Sequence, residues 1–344
     1  MKKKIMVGMS GGVDSSVTAA LLLKQGYEVS GMTMRVWKNT QDLAVADAQI
    51  VAKKLGIVHH VFDFREIFEK KVIQHFIDGY SSGKTPNPCV TCNHHIKFGE
   101  FLDKALSMGM DYIATGHYAK IEKEGDRYLL KKSASTLKDQ TYPLYHLTQK
   151  QLSHVIFPLS NYEKTEVRKI ATELGLSVAN KPDSQDICFV ADHDYVKFIE
   201  EKTGVKMSPG NFVDKSGKVL GEHKGLYHYT LGQRKGIGVA TGKPIFVSHI
   251  DVEKNEITLG DEQDILSDSL IVADLNFIPM DKITEPIKAK AKIRYGMKEF
   301  EVEIIPIDDN KAKVVFKEPQ RAVTAGQSIV FYQKDSVLGG GIIQ

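Results

Sequence analysis

The chain has 344 residues, of which 42% are hydrophobic and 26% are charged, and its formal net charge is +3. This length and composition predict a globular protein of two or three domains, and no apolar run is long enough to span a membrane. Because Met1–Lys4 lead directly into a predicted strand, we expect no signal peptide, a cytoplasmic location and no membrane partner. The mildly basic charge permits a nucleic-acid partner but does not require one.

The first predicted strand, residues 4–9, opens into Ser10–Ser15, and a helix follows. Two glycines let the backbone of this loop approach an anion, and the free amides of the following helix face that anion. Two serines add hydroxyl donors, and Asp14 can hold a phosphate-bound Mg²⁺ or cap the helix. No lysine follows the glycines, so this is not a Walker A loop. The loop resembles the Ser-Gly-Gly-x-Asp-Ser signature of PP-loop ATP pyrophosphatases, which cleave ATP between the α and β phosphates and adenylate a substrate.

Further strands are predicted at 27–37, 57–62 and 111–115, alternating with helices at 42–55, 64–80 and 96–106. This alternation predicts a parallel sheet with ligands beyond the carboxyl ends of its strands. Residues 81–93 lack periodicity and predict a mobile loop, whereas residues 118–132 predict a β-hairpin.

The pattern changes near Leu147, and beyond Pro209 only short alternating runs remain. We therefore predict an α/β chain of three parts. A parallel-sheet PP-loop domain, Rossmann-like and similar to adenine nucleotide alpha hydrolases, spans 1–146. A small central α/β linking domain that carries the third cysteine spans 147–209, and a C-terminal β-barrel spans 210–344.

Three cysteines, Cys89, Cys92 and Cys188, fall in stretches predicted to be polar and irregular. An odd number of cysteines argues against a structural disulfide framework and favours a chemical role. Together they could ligate three irons of a [4Fe-4S] cluster. Alternatively, Cys188 and Cys92 form a thiol pair, in which one carries a persulfide and the other resolves it. A zinc site is a weaker hypothesis, because it needs a fourth ligand such as His94 or His95.

The order and spacing of several segments resemble those of tRNA-specific 2-thiouridylases over nearly the whole chain. The segments are Gly8–Ser16, Thr85–Pro88, Cys92-Asn93, Ile96–Phe98, Ala114–Tyr118, Lys138–Gln140, Lys181 with Asp183-Ser184, Ile187–Phe189, Thr230–Gly236, Ala322–Thr324, Gly326-Gln327 and Leu338–Gly341. The resemblance implies an enzyme that converts the C2 carbonyl of the tRNA wobble uridine to a thiocarbonyl. It implies consumption of ATP with Mg²⁺, a sulfur carrier protein or cysteine desulfurase as partner, and tRNAs for Glu, Gln and Lys as acceptors.

The resemblance also implies roles for individual residues. Cys188 would bear the persulfide and Cys92 would be its catalytic partner. The nucleotide would be bound by Gly8, Met9, Ser10, Gly11, Gly12, Val13, Asp14, Ser15, Met34 and Gly116. Asn87, Pro88 and Cys89 would face the target base. Contacts to tRNA, including those of the barrel, would come from His117, Lys138, Asp139, Gln140, Arg294, Tyr295 and Gln327.

This assignment is chemically consistent. Adenylation turns the oxygen of a poor electrophile into a good leaving group, which a persulfide or a low-pKa thiolate can displace. The target base must leave its stack, so loops that close over it are expected. From the sequence alone, Arg294 and Tyr295 suit phosphate contact and base stacking as well as they suit a solvated strand face.

Two features differ from the family pattern. The stretch between Trp37 and Asp47 is shorter than in many relatives, and Cys89 replaces an Asp common in one branch. The second difference leaves the persulfide and [4Fe-4S] hypotheses both open. Two other classes of function are a PP-loop amide or argininosuccinate-type ligase, and a tRNA-binding module with a relict nucleotide fold.

Overall fold

The computed structural model describes residues 2–37, 41–135, 138–182, 187–190, 192, 194–240 and 242–344. The predicted positions Asp183 and Ser184 lie outside these ranges, as do residues 38–40 of the stretch after Trp37. In the described part of the chain, no helix combines the length and apolar character that crossing a bilayer requires.

The amino-terminal half contains a parallel sheet and a hairpin. Their strands are β1 Lys4–Gly8, β2 Glu28–Arg35, β3 His59–Asp63, β4 Tyr112–Ala114, β5 Ala119–Glu124, β6 Arg127–Lys132 and β7 Val155–Ile156. Five of these strands form the sheet in the order β3-β2-β1-β4-β7. The predicted parallel α/β domain is therefore confirmed, and β7 adds an edge strand to it.

Helices cover both faces of this sheet. They are α1 Val13–Lys24, α2 Gln41–Leu55, α3 Arg65–Phe68, α4 Gln74–Ser81, α5 Pro88–Cys92, α6 Phe101–Ser107, α7 Gln149–Leu152, α8 Lys164–Glu173 and α9 Tyr195–Thr203. Wide π-helical turns at Glu69–Ile73 and Asn93–Glu100 join α3 to α4 and α5 to α6, and short 3₁₀ turns lie at Tyr142–Leu144, Pro158–Asn161, Leu226–His228 and Gln263–Ile265.

The central strand β1 shows why two layers of helices form. Ile5, Met6 and Val7 are completely buried, as expected for a strand covered on both faces. Ile5 and Val7 pack into a core with α1 and α2, whereas Met6 packs into a second core with Phe98 and Phe101. The side chains of β1 alternate between these cores because successive residues of a strand point to opposite faces.

The described residues of the carboxyl-terminal part form ten strands. They are β8 Gly210–Val213, β9 Val219–His223, β10 Phe246–Asp251, β11 Glu256–Gly260, β12 Leu266–Phe277, β13 Ile287–Lys292, β14 Phe300–Pro306, β15 Lys311–Arg321, β16 Ser328–Gln333 and β17 Ser336–Ile343. The first four form a separate sheet in the order β10-β11-β8-β9. The other six follow the order β12-β15-β14-β13-β16-β17, and β17 pairs again with β12. The predicted barrel is therefore confirmed as a closed antiparallel barrel of six strands.

The β5–β6 hairpin attaches to the barrel, although it follows the parallel sheet in sequence. Lys131 of β6 pairs with Ser336 of β17, and the amide of Lys132 donates to the Asp335 carbonyl at 2.8 Å. Leu130 shares one core with Val330 and Tyr332 of the barrel and with Phe98 beneath the parallel sheet. The two halves thus share a continuous core, and the domain boundaries at residues 146 and 209 stay predictions.

Candidate active site

The glycine-rich loop lies at the carboxyl end of β1. No side chain in the described ranges caps the start of α1, which leaves the amides of its first turn available to an anion. The loop braces itself through Ser15, whose hydroxyl accepts from the Ser10 amide and donates to the Gly12 carbonyl, both at 3.2 Å. Gly11 has φ +67°, and a Cβ there would lie 2.5 Å from the Ala44 carbonyl oxygen. Only glycine fits this position.

Two lysines from distant parts of the chain reach this loop. Lys164, at the start of α8, contacts Asp14 Oδ1 at 2.6 Å, and the same oxygen accepts from the Tyr118 hydroxyl at 2.9 Å. Lys181 donates to the Gly11 carbonyl at 3.1 Å and pairs with Asp47 at 2.7 Å. The fold therefore supplies cationic groups that the loop sequence lacks.

The other residues predicted to bind nucleotide also lie at this edge of the sheet. Gly8, the last residue of β1, pairs with Met32 of β2. Met34 is half-buried and lies two residues beyond Met32, at the same edge of the sheet. Gly116 follows β4, and a Cβ there would lie 2.9 Å from the Asp14 carbonyl carbon and the Ser15 amide. This close approach again requires glycine. The edge presents backbone amides, hydroxyls and lysines, which suits the phosphates of a nucleotide.

The first two cysteines lie on a short helix, so the predicted loop at 81–93 is wrong for Pro88–Cys92. Asn87 begins this helix α5, because its side-chain oxygen accepts from the amides of Cys89 at 3.1 Å and Val90 at 3.3 Å. Proline at the first helical position has a suitable φ and no amide to satisfy. Asn-Pro is therefore a helix start here. Cys89 is exposed and Cys92 is partly buried.

Cys188 reaches the surface because its neighbour anchors the segment. Phe189 is only 4% exposed, and its ring centroid lies 5.7 Å from that of Phe68, 5.4 Å from that of Phe76 and 5.1 Å from that of Phe198. Cys188 itself is exposed. The aromatic anchor fixes the backbone while leaving the neighbouring thiol accessible.

The structure brings the three cysteines together. Desolvation by the surrounding protein, with smaller contributions from Cys188 and Cys89, raises the pKa of Cys92 to about 12. Although Cys188 reaches the surface, desolvation and then Cys89 raise its pKa to about 11. Of the two nucleophiles expected, a persulfide or a low-pKa thiolate, the raised pKa values oppose the second for these free thiols. The cation of Lys97 lowers both pKa values but does not overcome desolvation.

The donor set does not fit a metal centre. Across the described ranges, no group of three or more His, Cys, Asp or Glu side chains is arranged to hold a metal ion. His94 and His95 pack against each other with ring centroids 4.3 Å apart. Desolvation and His94 lower the pKa of His95 to about 4, which keeps it neutral.

Several predicted tRNA contacts occupy the junction between the barrel and the parallel-sheet half. The Arg294 guanidinium donates to the Ala322 carbonyl at 2.7 Å, and the side-chain Nε2 of Gln327 donates to the Thr85 carbonyl at 2.5 Å. Thr85 in turn donates its amide to the Ala325 carbonyl at 2.9 Å. The barrel loop at 322–327 therefore holds the segment that leads to the cysteines.

The segment Lys138–Gln140 and Tyr295 lie at the same junction. Asp139 is 3.6 Å from Lys292 of β13, and Tyr295 is half-exposed with its ring against Tyr142. Gln140 accepts from the Tyr118 amide at 2.9 Å, and Lys138 lies over the Tyr118 ring. These residues are brought together.

His117 differs from this group. Its ring is buried, it lies 2.7 Å from the Thr115 hydroxyl, and desolvation lowers its pKa well below the ordinary value. Lys97 also lowers that pKa, so its cation lies near His117 as well as near Cys92 and Cys188. A role for His117, Asn87, Pro88 or Cys89 towards tRNA stays a prediction.

Sequence reasoning missed Lys97, Lys164 and Tyr118 as site residues and gave Lys181 no role. Lys164 and Asp14 are 150 residues apart, and Lys181 and Gly11 are 170 residues apart. No local pattern indicates such pairs. The available signal was the place of Lys97, Tyr118 and Lys181 within motifs that match the family.

Comparison with known proteins agrees with this architecture. The family model described as tRNA methyl transferase HUP domain matches residues 3–192. The model described as tRNA methyl transferase PRC-barrel domain matches residues 196–261, and the Aminomethyltransferase beta-barrel domain matches residues 267–343. These ranges correspond to the parallel-sheet half, the four-stranded sheet and the six-stranded barrel.

Curated relatives match the chain along its full length. The tRNA-specific 2-thiouridylase MnmA of Acetivibrio thermocellus is 57% identical, and the alignment covers 100% of this chain and 99% of the relative. MnmA 1 of Clostridium botulinum is 52% identical with 100% of both chains covered. MnmA of Clostridium beijerinckii is 52% identical, with 100% of this chain and 99% of the relative covered. The chain therefore belongs to the tRNA-specific 2-thiouridylase family.

Proposed function

We propose that this protein is an ATP-dependent tRNA-uridine 2-sulfurtransferase that forms 2-thiouridine at the wobble position and releases AMP and pyrophosphate. The observation that carries the proposal is the meeting of Cys92 and Cys188, from segments about a hundred residues apart, in a protein whose parallel sheet also carries an anion-binding loop. Family membership and the names of the relatives support it.

The loop and its lysines suit the first step. The uridine C2 oxygen attacks the α phosphorus of ATP, and pyrophosphate leaves with the electrons of the broken bond. Backbone amides of Gly11–Ser15 and the cations of Lys164 and Lys181 stabilise the charge of the triphosphate. Asp14 is the carboxylate that would hold a phosphate-bound Mg²⁺, which would neutralise further charge.

The cysteines suit the second step. The outer sulfur of a Cys188 persulfide attacks C2 of the adenylated uridine, and the C2–O bond breaks. The former carbonyl oxygen leaves as part of AMP. Cys92 then attacks the inner sulfur, so the S–S bond breaks, its electrons pass to the sulfur on the base, and a Cys92–Cys188 disulfide forms. An external thiol reductant restores the pair, and a sulfur carrier protein or cysteine desulfurase supplies the next persulfide.

Because the pKa of Cys92 is raised, this thiol must lose its proton before it can attack the persulfide. A neutral Cys92 is a poor nucleophile until a base or a change in environment removes its proton. Binding of the target base, which closes the site, would provide such a change. We propose a cytoplasmic setting and tRNAs for Glu, Gln and Lys as acceptors. The alternative, an iron-sulfur route through Cys89, Cys92 and Cys188, has less support, because no group of three such side chains in the described ranges is arranged to hold a metal ion.

Cysteine substitution tests the proposal. Cys188→Ser is expected to abolish ATP-dependent 2-thiouridine formation in unmodified tRNA while leaving the tRNA dissociation constant within about twofold, since a serine cannot carry a persulfide. Cys92→Ser is expected to stop turnover but to leave tRNA binding unchanged. Retained thiolation by Cys188→Ser would contradict the assignment.

Cys89→Ala is the matched control. A mild effect, with full activity of protein that contains no iron or acid-labile sulfide, agrees with a persulfide relay. A severe effect together with stoichiometric iron required for activity would instead establish a cluster. Pyrophosphate release measured with ATP and tRNA separates either enzyme from a tRNA-binding module that lacks catalysis.

A further inference from the structure

A cavity of about 720 Å³ lies between the four-stranded sheet and the barrel. One wall is the loop Gly232–Lys235. This loop is part of the Thr230–Gly236 motif, which matches the family but takes no part in the reaction steps described above. The start of β10 and the turn at Asp261-Glu262 form the other walls, and Arg321 at the end of β15 closes the cavity. The cavity is thus built by two separate β units.

The loop wall is held rigidly. The Gly232 amide donates to the Val247 carbonyl at 2.8 Å, and the Val247 amide donates to the Gln233 carbonyl at 2.9 Å. The Gln233 side chain accepts from the Thr230 amide and donates to the Lys235 carbonyl, both at 3.0 Å. Gln233 therefore serves the loop itself, and the neighbouring Arg234 and Lys235 are exposed. A rigid backbone presents these two cations at low conformational cost.

A tight contact joins the two walls. Gly232 has φ +80°, and a Cβ there would lie 2.4 Å from the Cβ of Ala322. Ala322 also has a positive φ of 54°. Beside it, the Arg321 guanidinium lies 4.7 Å from the centroid of the Phe246 ring. This packing fixes Arg321 next to the loop cations.

The cavity has an excess of positive charge. Four cationic side chains line it and two carboxylates oppose them; the cations are Arg234, Lys235, Lys243 and Arg321, and the carboxylates are Asp261 and Glu262. Within the described ranges, neither Arg234, Lys235 nor Arg321 forms an ion pair. Guanidinium and ammonium groups bind phosphates, while carboxylates accept hydrogen bonds from ribose 2′-hydroxyls. The combination favours RNA over a simple anion.

The cavity is also close to the candidate active site. Ala325, whose carbonyl accepts from Thr85, is four residues beyond Arg321. The spans from Arg321 to Ala325 and from Thr85 to Cys89 each cover four residues, at most about 14 Å, so the cavity lies within about 30 Å of Cys89. A tRNA backbone that runs past the cysteines can cover this distance.

We propose that this cavity binds phosphodiester groups of the tRNA backbone outside the target base. The inference rests on the proposed function and adds a substrate-binding site to it. The phosphates contact Arg234, Lys235 and Arg321, and the site positions the tRNA without reading its sequence.

A double substitution tests this site. Arg234→Ala with Lys235→Ala is expected to weaken tRNA binding about tenfold and to lower the slope of log affinity against log salt by about 1 to 2. The tRNA concentration for half-maximal thiolation rises in parallel, whereas the rate at saturating tRNA stays within about twofold. Lys288→Ala with Lys290→Ala is the matched control, because it removes two exposed cations from β13, away from the cavity.

Each outcome bears on the site. Unchanged affinity and salt slope in the cavity variant overturn the proposal, and so does an equal effect in the control, which would indicate bulk charge. Because binding is measured without ATP, it reports on the cavity even if the wild-type protein fails to thiolate tRNA. That failure would contradict the proposed function alone.

Discussion

At the scale of single residues, the site is governed by desolvation. Cys92 and Cys188 lie where the surrounding protein removes water, so both keep their protons at neutral pH. A protonated thiol resists oxidation and premature sulfur exchange. The thiols therefore stay protonated until they react. The Lys97 cation favours the thiolate and so limits how far desolvation raises their pKa.

This balance predicts an alkylation profile. Because the folded-state pKa values are about 12 and 11, iodoacetamide should modify Cys92 and Cys188 about tenfold faster per pH unit up to pH 9.5, without a plateau. Lys97→Met should slow both reactions at a given pH, since loss of a nearby cation raises the thiol pKa. Lys97→Arg is the charge-conserving control. Site-resolved mass spectrometry measures the rates, and a plateau near pH 7 would contradict the profile.

At the scale of elements, the helix α5 determines where the cysteines point. Asn87 caps it, so the oxygen of the side chain that the family resemblance assigns to the target base already accepts from the backbone amides of Cys89 and Val90. A helix of five residues depends strongly on its cap. The same side chain thus orients Cys89 and Cys92.

Substitution separates these roles of Asn87. Asn87→Ala should destabilise the protein by about 1 kcal/mol through loss of the cap, whereas Asn87→Asp should keep the thermal midpoint near that of the wild type. If the cap is the principal role, Asn87→Asp also retains most thiolation activity. Thermal unfolding followed with a thiolation assay measures both. Equal stability of the alanine and wild-type proteins would contradict the capping role.

The elements also show the limits of sequence reasoning. The strand–loop–helix at Lys4–Lys24 is predictable because apolar periodicity and paired glycines are local signals. The helix at Pro88–Cys92 is not predicted, because prolines and polar residues are typical of loops. The helix depends on a single side-chain cap, which apolar periodicity does not indicate. The lysines at the nucleotide loop escape any local pattern, since Lys164 and Lys181 reach it only through the tertiary fold.

At the scale of the whole molecule, the barrel contacts the segment that carries the first cysteines. Two hydrogen bonds join the loop at 322–327 to Thr85: the Thr85 amide donates to the Ala325 carbonyl, and the Gln327 side chain donates to the Thr85 carbonyl. Gln327 therefore has a candidate positioning role in addition to its predicted contact with tRNA. The two roles make different kinetic predictions.

Gln327→Ala distinguishes them. Loss of one hydrogen bond, about 1 kcal/mol, should slow single-turnover thiolation about fivefold while the tRNA dissociation constant stays within about twofold. Gln320→Ala, which removes a partly buried glutamine of β15 whose side chain donates to the Glu318 carbonyl, is the control. Weaker tRNA binding with an unchanged rate at saturating tRNA would assign Gln327 to the tRNA instead.

The hairpin β5–β6 has a consequence for how the protein can be divided. Its strand β6 pairs with β17, which lies more than two hundred residues later, and Leu130 is buried in a core that includes barrel residues. A fragment that ends before the barrel would leave an unpaired edge strand and would expose part of this apolar core, and such edges pair with other chains. The nucleotide-binding half is therefore expected to aggregate when it is expressed alone.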